Sequence, residues 1–420
     1  MNRNEFLCTA LYFVLGAASP KVREIYDREL DVEKLFESDR ERRLSGLFSD
    51  KETVKFDGAL KRAHFAAKQA DKSGQRIISY LSEEYPERLK NIYAPPCALY
   101  VRGVFPEFDN EVAIAMVGTR NATDYGRTVA TDLAMTLSKA GALIVSGAAK
   151  GIDSYSHTGA LQVFGRTAAV LGCGIDYPYL MENKPMRDMI EKRGVLISEY
   201  PPGTAAARWS FPERNRIISG LSLGTVIIEA GIKSGSLITA NYTLEQGREL
   251  FAVPGSVMSP SFAGTNKLLR EGAKPVFSAL DILEEFAGEY PHKIDMSGVK
   301  SLMIDVDAIS NDTGRADRSQ KTRFAASIKS DGNGINGNSN AEKHLKTPES
   351  KRKIVNISDK DLSDDEKMVY NNFIAKNSAL TVDELIPLCG IAPDKLMRVL
   401  TSLELEGLIE PEAGNKYKIL

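Results

Sequence analysis

A parallel β-sheet covered by helices on both faces is the architecture this sequence predicts for its middle half. Between residues 77 and 288, short apolar runs rich in β-branched residues alternate with stretches of helical spacing, and glycines punctuate the junctions. Strands that are apolar along their whole length are buried on both sides. Regular alternation of such strands with helices marks an α/β layer architecture. The composition agrees: 420 residues, 43% hydrophobic and 26% charged, suit a globular protein of two or three domains.

The elements follow one another in order. The strand "EVAIAMVG" leads through the loop "TRNATDYG" into a helix over "RTVATDLAMTLSKAG". Next come the strand "ALIVSG", the loop "AAKGID" and the helical "SYSHTGALQVFG". The strand "RTAAVLG" precedes a helix over "PMRDMIEKRG", and "VLISEY" precedes the helical "ERNRIISGLS". "GTVIIEA", a helix over "LITANYTLEQG", the strand "ELFAVPG" and a last helix over "TNKLLREG" complete the series.

The flanks differ in kind. Residues 1–75 have a helical pattern interrupted by charged stretches such as "SDRERRLSG". The opening "FLCTALYFVLGAAS" has the length of a secretory signal, yet only Arg3 precedes it and Glu5 offsets that charge, so an amphipathic first helix is expected. No run reaches membrane-spanning length. Residues 295–358 lose the order signal, because "SDGNGINGNSNAEKHLKTPESKRK" cannot bury enough apolar area to offset its chain entropy. Within 311–360 there are 11 Lys/Arg against 6 Asp/Glu, a balance of +5, which reads as a basic tether. Residues 361–420 regain helical spacing and end in the strand-like "KYKIL".

Charge and cysteine content exclude several classes. With 54 Lys plus Arg against 56 Asp plus Glu, the net charge of −2 carries no global nucleic-acid signal, so an anion-binding surface has to be local. Cys8, Cys97, Cys173 and Cys389 are scattered, without CxxC or metal-ligand spacing, which fits a reducing, cytoplasmic compartment. Walker A, HExxH and GxSxG patterns are missing. No metal, cofactor or catalytic residue is expected.

Ligands of open parallel sheets sit outside the carboxyl ends of the strands. That rule selects "GTR", "SGAAKGID", "GCGIDY" and the loops around "TVIIEA". Gly118, Gly147, Gly172 and Gly174 allow close backbone approach, helix N-termini favour anions, and Arg120 adds a fork suited to phosphate. "GTRNATDYG" is not GxGxxG, and no acidic residue ends the second strand to hold a ribose.

The motifs "VGTR…YG", "SGAAKGID…H…AL", "GCGID", "ISEYPPGT", "FPERNRIISGLS", "IIEA…SGSLITA", "FAVPG" and "GTNKLLREGA" occur in order across about half the chain. In this combination the chain resembles the bacterial DNA-processing protein family DprA, also called Smf. The resemblance implies an extended Rossmann-like domain that binds single-stranded DNA and loads the recombinase RecA, without enzymatic turnover and as a homodimer. Natural transformation is the setting in which family members do this. The implied DNA-binding set is Gly118, Thr119, Arg120, Ser146, Gly147, Lys150, Lys184, Arg214, Asn215, Arg216 and Lys267. For Arg216 an internal ion pair with Glu199 or Glu229 is the competing reading. Glu199, Glu229 and His157 read as bracing or packed residues, because no nucleophile or metal ligand accompanies them.

The flanks match less closely. The implied N-terminal unit is a SAM-like helical domain over 1–75, yet "LGAASPKV" has Ala17, Ala18 and Pro20 where the family carries a GxG hairpin, and Leu180 stands where a proline is expected. The C-terminal segment looks like a winged helix with 6 Lys/Arg against 11 Asp/Glu, a balance of −5. Only Lys395 and Arg398 lie on its second helix, which favours protein contact over groove reading. The alternative function is a Rossmann-like nucleoside-monophosphate phosphoribohydrolase. "GTVIIEA" echoes that class, but its PGGxGT signature is absent.

Overall fold

In a computed structural model, the chain divides into two compact units, Met1–Ile328 and Lys329–Leu420. The structure describes residues 2–296, 299 and, with breaks at 377–379, 392, 406–407 and 413–415, residues 363–419. Apart from 295, 296 and 299, the expected tether lies outside the described residues.

The first unit opens with five helices: α1 (Arg3–Leu15), α2 (Lys21–Asp27), α3 (Val32–Glu37), α4 (Asp39–Ser45) and α5 (Asp50–Lys72). Capping boxes at Asn2/Glu5 and Ser49/Glu52 start α1 and α5 by satisfying the first free backbone N–H groups. The expectation of an amphipathic first helix needs correction. Leu7, Cys8, Thr9, Ala10, Leu11 and Val14 are all buried, so α1 is covered around most of its circumference, as a helix apolar on all sides must be.

Nine strands form one sheet: β1 (Arg76–Ser79), β2 (Ala98–Gly103), β3 (Ala113–Val117), β4 (Leu143–Ser146), β5 (Thr167–Leu171), β6 (Val195–Ser198), β7 (Gly224–Ile227), β8 (Glu249–Ala252) and β9 (Lys274–Pro275). Their order is β1-β2-β6-β5-β4-β3-β7-β8-β9. From β3 to β9 neighbours are parallel, as expected, whereas β1 and β2 form an antiparallel ribbon added through β6. That ribbon escaped the sequence reading, because the proline-rich 80–97 connection hides its hairpin relation. The chain runs outward from β3 to β6, then returns to β7 on the other side of β3, so β3 and β7 flank the switch point.

The alternate residues of each strand enter different cores. Ala113, Ala115 and Val117 of β3 share a core with Ile217 and Ile218 of α10 (Ser210–Gly220), with Leu221 just after it, and with Leu11, Val14 and Ile25 from the N-terminal helices. Ile114 and Met116 face Ala130, Leu133 and Leu137 of α7 (Asp124–Lys139). The N-terminal helices therefore share a core with the sheet. The remaining crossovers are α8 (Ile152–Gln162), α9 (Lys184–Arg193), α11 (Ser236–Glu245), α12 (Ala263–Arg270) and α13 (Leu280–Ala287), after the short α6 (Glu87–Lys90).

The second unit holds α14 (Asp364–Lys376), β10 (Leu380–Thr381), α15 (Val382–Cys389), α16 (Pro393–Leu405), β11 (Ile409–Glu412) and β12 (Lys416–Ile419). Its sheet order is β10-β12-β11, antiparallel, over a core that includes Val369, Phe373, Leu385, Leu396 and Leu400. This is the expected winged helix, preceded by a helix and a short strand that the sequence reading did not separate.

Candidate nucleic-acid interface

A cleft of about 400 Å³ lies at the carboxyl ends of β3 and β4, beside the switch point between β3 and β7. Its floor and walls come from the β3 loop (Gly118, Thr119, Arg120), from α10 and the loop before it (Arg208, Phe211, Arg214, Asn215), and from the start of α11 (Ser234 to Ser236). The site thus falls where open α/β sheets hold ligands.

The glycines that line this region are there for packing. A Cβ at Gly118 would lie 2.6 Å from Ile152 Cγ1, and one at Gly147 would lie 2.5 Å from the Arg214 guanidinium. Gly147 is fully engaged within the protein: its N–H donates to Asp153 Oδ2 at 3.2 Å, and its carbonyl accepts from Arg214 Nη1 at 2.8 Å. Thr119 is held likewise, its N–H donating to the Glu229 carbonyl at 2.7 Å. Ser146 departs from expectation. It is wholly buried and its hydroxyl donates to the Met116 carbonyl at 2.6 Å, so it ties strand ends together and offers nothing to a ligand.

The arginines divide by environment. Arg120 is exposed on the rim, with its guanidinium 5.5 Å from the Phe211 ring centroid. Arg208 is exposed on the same cleft, and among the described residues neither is ion-paired. Arg214 is buried behind Phe211, where its Nη1 donates to the carbonyls of Gly147 and Val170. Burial lowers its basicity and the neighbouring Asp153 opposes that shift. Burial likewise raises the Asp153 carboxyl, against the pull of Arg214 and of the N–H groups of Ala149 and Gly147. Arg214 Nε and Thr239 Oγ1, both on residues lining the cleft, are buried polar atoms without a partner. Both atoms are enclosed by the protein, as are other partnerless buried atoms elsewhere in the chain such as Tyr100 Oη and Ser138 Oγ.

Arg216 does not face this cleft. It is 3% exposed and its Nη2 donates to both oxygens of Glu199, at 2.8 and 2.9 Å. Its Nε donates to the Ala94 carbonyl at 2.8 Å, and Glu199 also accepts from the Ala18 N–H at 3.3 Å. Burial works against its charge, but Glu199 outweighs it and lifts the guanidinium above its ordinary basicity. Helical geometry explains the split, because residues two apart on a helix point to different sides. Glu229 braces as expected, accepting from the N–H and hydroxyl of Thr123 at 2.9 Å each.

Lys150, Lys184 and Lys267 are exposed, do not line the cleft, and face Glu182, Asp188 and Glu271 at 2.6, 2.6 and 3.6 Å. Leu180, the departure from the family pattern, adopts a left-handed backbone (φ 46°). Asn183 anchors the segment by donating to the Ala148 carbonyl at 3.0 Å and to Ser154 Oγ at 3.1 Å. Arg208, Phe211 and Ser236 were missing from the expected set. For Phe211 and Ser236 the available signal was their place inside the quoted motifs. Arg208 lies just before "FPERNR" and nothing in its local sequence distinguishes it.

Comparison with known proteins places this architecture. Residues 76–287 match the family model described as DNA recombination-mediator protein A, and residues 358–415 match the DprA winged helix domain. The DNA processing protein DprA of Bacillus subtilis is 46% identical over 212 residues, 50% of this chain and 71% of that protein. Its counterpart in Streptococcus pneumoniae is 40% identical over 214 residues, 50% of this chain and 73% of that protein. The X-ray structure of DprA from Streptococcus pneumoniae superposes with a TM-score of 0.55 at 33% identity, covering 66% of this chain and 93% of that one. With the family model spanning half its length on the sheet that carries the cleft, this chain belongs to the DNA recombination-mediator protein A (DprA/Smf) family.

Proposed function

We propose that the cleft holds the backbone of single-stranded DNA and that the chain, acting as a cytoplasmic homodimer without catalytic turnover, passes that strand to a RecA recombinase. The carrying observation is the pair of exposed guanidinium groups of Arg120 and Arg208 on one cleft, neither ion-paired among the described residues. Two exposed forked cations, with the buried charge of Arg214 behind them, match phosphate geometry. Phe211 and the exposed Trp209 add aromatic faces for unstacked bases, which a duplex does not offer.

The test is a titration of single-stranded against duplex oligonucleotides across salt concentrations. Single strands should bind more tightly, with a log–log salt slope that falls by about 0.7 for each phosphate contact removed. RecA filament assembly on DNA coated by single-strand-binding protein should accelerate when the protein is added, while the protein alone hydrolyses no ATP. Release of free base from nucleoside monophosphates would favour the phosphoribohydrolase reading instead.

A further inference from the structure

Helix α5 carries a second charged surface that the cleft does not use. Its buried stripe is Phe56, Ala59, Ala63, Ala66 and Ala70, at the three- and four-residue spacing of one helix face. Phe56 and Ala59 enter the core beneath the N-terminal helices, whereas Ala66 and Ala70 enter the cluster of Tyr100, Ala169 and Leu196, so α5 runs along the outer, β1 side of the sheet. The opposite face, at spacings of three, four and seven, presents Val54, Lys61, Phe65, Lys68 and Lys72.

This outward face is unusual in two respects. Phe65 is 64% exposed in the middle of it, on a helix whose apolar side is already covered by packing. Lys61, Lys68 and Lys72 are exposed around that ring and none is ion-paired among the described residues, in contrast to the paired Lys150, Lys184 and Lys267. Between 58 and 72 the helix holds Lys61, Arg62, Lys68 and Lys72 against the single carboxylate of Asp71. Arg62 is turned inward to the carbonyls of Phe13 and Lys55. On a chain of net charge −2, this is a local cationic stripe with an aromatic ring at its centre.

We infer that the Lys61–Phe65–Lys68–Lys72 face of α5 is a second contact for single-stranded nucleic acid, separate from the cleft, that engages longer strands. It rests on the single-strand reading of the cleft given above. Unpaired lysines supply the phosphate term, and an exposed ring flanked by them supplies a stacking face for one base. From Lys61 to Lys72 the stripe is roughly 16 Å long, room for a few nucleotides. An anionic membrane would seek a broader apolar face than one Phe and one Val.

The experiment uses the full chain with fluorescent oligo-dT of 8 and 30 nucleotides. The triple charge reversal Lys61→Glu/Lys68→Glu/Lys72→Glu should weaken binding of the 30-mer about 10-fold at physiological salt and flatten its salt slope by about 2. Phe65→Ala should weaken the 30-mer about 5-fold and leave the slope unchanged, since stacking releases no counterions. Both variants should bind the 8-mer as the wild type does and keep its urea midpoint, because every altered side chain is exposed. If Arg120→Ala weakens both oligonucleotides while the α5 variants bind the 30-mer normally, this inference fails and the cleft reading stands. If the wild type does not bind the 8-mer, the cleft reading is the one that fails. Binding to phosphatidylglycerol vesicles that is lost in the triple variant, with 30-mer binding unchanged, would assign the face to a lipid surface and overturn the proposal.

Discussion

The two sides of helix α10 treat the same functional group in opposite ways. Behind the helix, Arg216 is enclosed with Glu199 and binds together the 94 loop, the end of β6 and, through Glu199, the backbone at Ala18. In front of it, Arg120 and Arg208 stand in solvent, ion-paired with nothing among the described residues, while Arg214 is as buried as Arg216 and bonds backbone carbonyls instead of a carboxylate. A guanidinium removed from water must be ion-paired or hydrogen-bonded within the protein, whereas one left in water is available to an incoming anion. The run "FPERNR" therefore buries both of its arginines, and the exposed charges of the cleft come from Arg120 and Arg208 outside it.

The largest break in this comparison comes from the buried side. Arg216→Ala leaves the Glu199 carboxylate without its main partner, and should cost about 3–5 kcal/mol of stability by urea denaturation. An Arg216→Met/Glu199→Leu double variant should recover most of that loss, since it removes both charges. Equal destabilisation by single and double variants would show that shape, not charge, holds this junction.

A second buried group sharpens the contrast through pH. His157 is fully buried, its Nδ1 lies 2.7 Å from Thr167 Oγ1, and that hydroxyl donates to the Ile144 carbonyl, which leaves the Nδ1–H as donor. Burial, with a contribution from Arg214, lowers its pKa to about 3. The folded state therefore stays neutral where the unfolded state takes up a proton, and stability falls as pH drops below about 6.5 and continues to fall towards 3. Between pH 7.5 and 5 this one group should account for ~2 kcal/mol of lost stability. His157→Asn should flatten that part of the pH profile, and an unchanged profile would place the proton uptake elsewhere.

On the exposed side the expected effects move from stability to binding. Arg120→Ala and Arg208→Ala should each weaken single-strand affinity about 10-fold and lower the salt slope by about 0.7, with stability changed by no more than about 0.5 kcal/mol. Arg214→Ala should lose both binding and stability, because its guanidinium is buried yet borders the cleft. The smallest effect belongs to Lys184→Ala. Its ammonium already faces Asp188 on the surface, so affinity should change by less than about 2-fold in the same titration.

Periodicity made the parallel strands and their crossovers readable, since continuous apolar runs such as Ala113–Val117 and Thr167–Leu171 have few alternatives. The β1–β2 ribbon was not readable from local pattern. Its pairing spans a proline-containing connection, and nothing in Arg76–Ser79 specifies an antiparallel partner at Ala98–Gly103. Within the site, Arg120 was legible because a glycine loop at a strand end admits few other uses for an arginine. Arg208 was not, because it shares the cleft with Arg120 only through the folding of two loops far apart in the chain.

The amino-acid order alone specified the layer architecture, the winged-helix pattern and the edge of the sheet where the cleft lies, because each depends on short-range spacing of apolar, glycine and turn residues. Which arginine meets solvent was decided only in the folded molecule. Arg214 and Arg216 occupy nearly the same sequence environment, and the partner that neutralises Arg216 comes from Glu199, 17 residues away on another element. Desolvation is a property of everything packed around a side chain, and it is this that enclosed both arginines of the motif and left Arg120 and Arg208 outward.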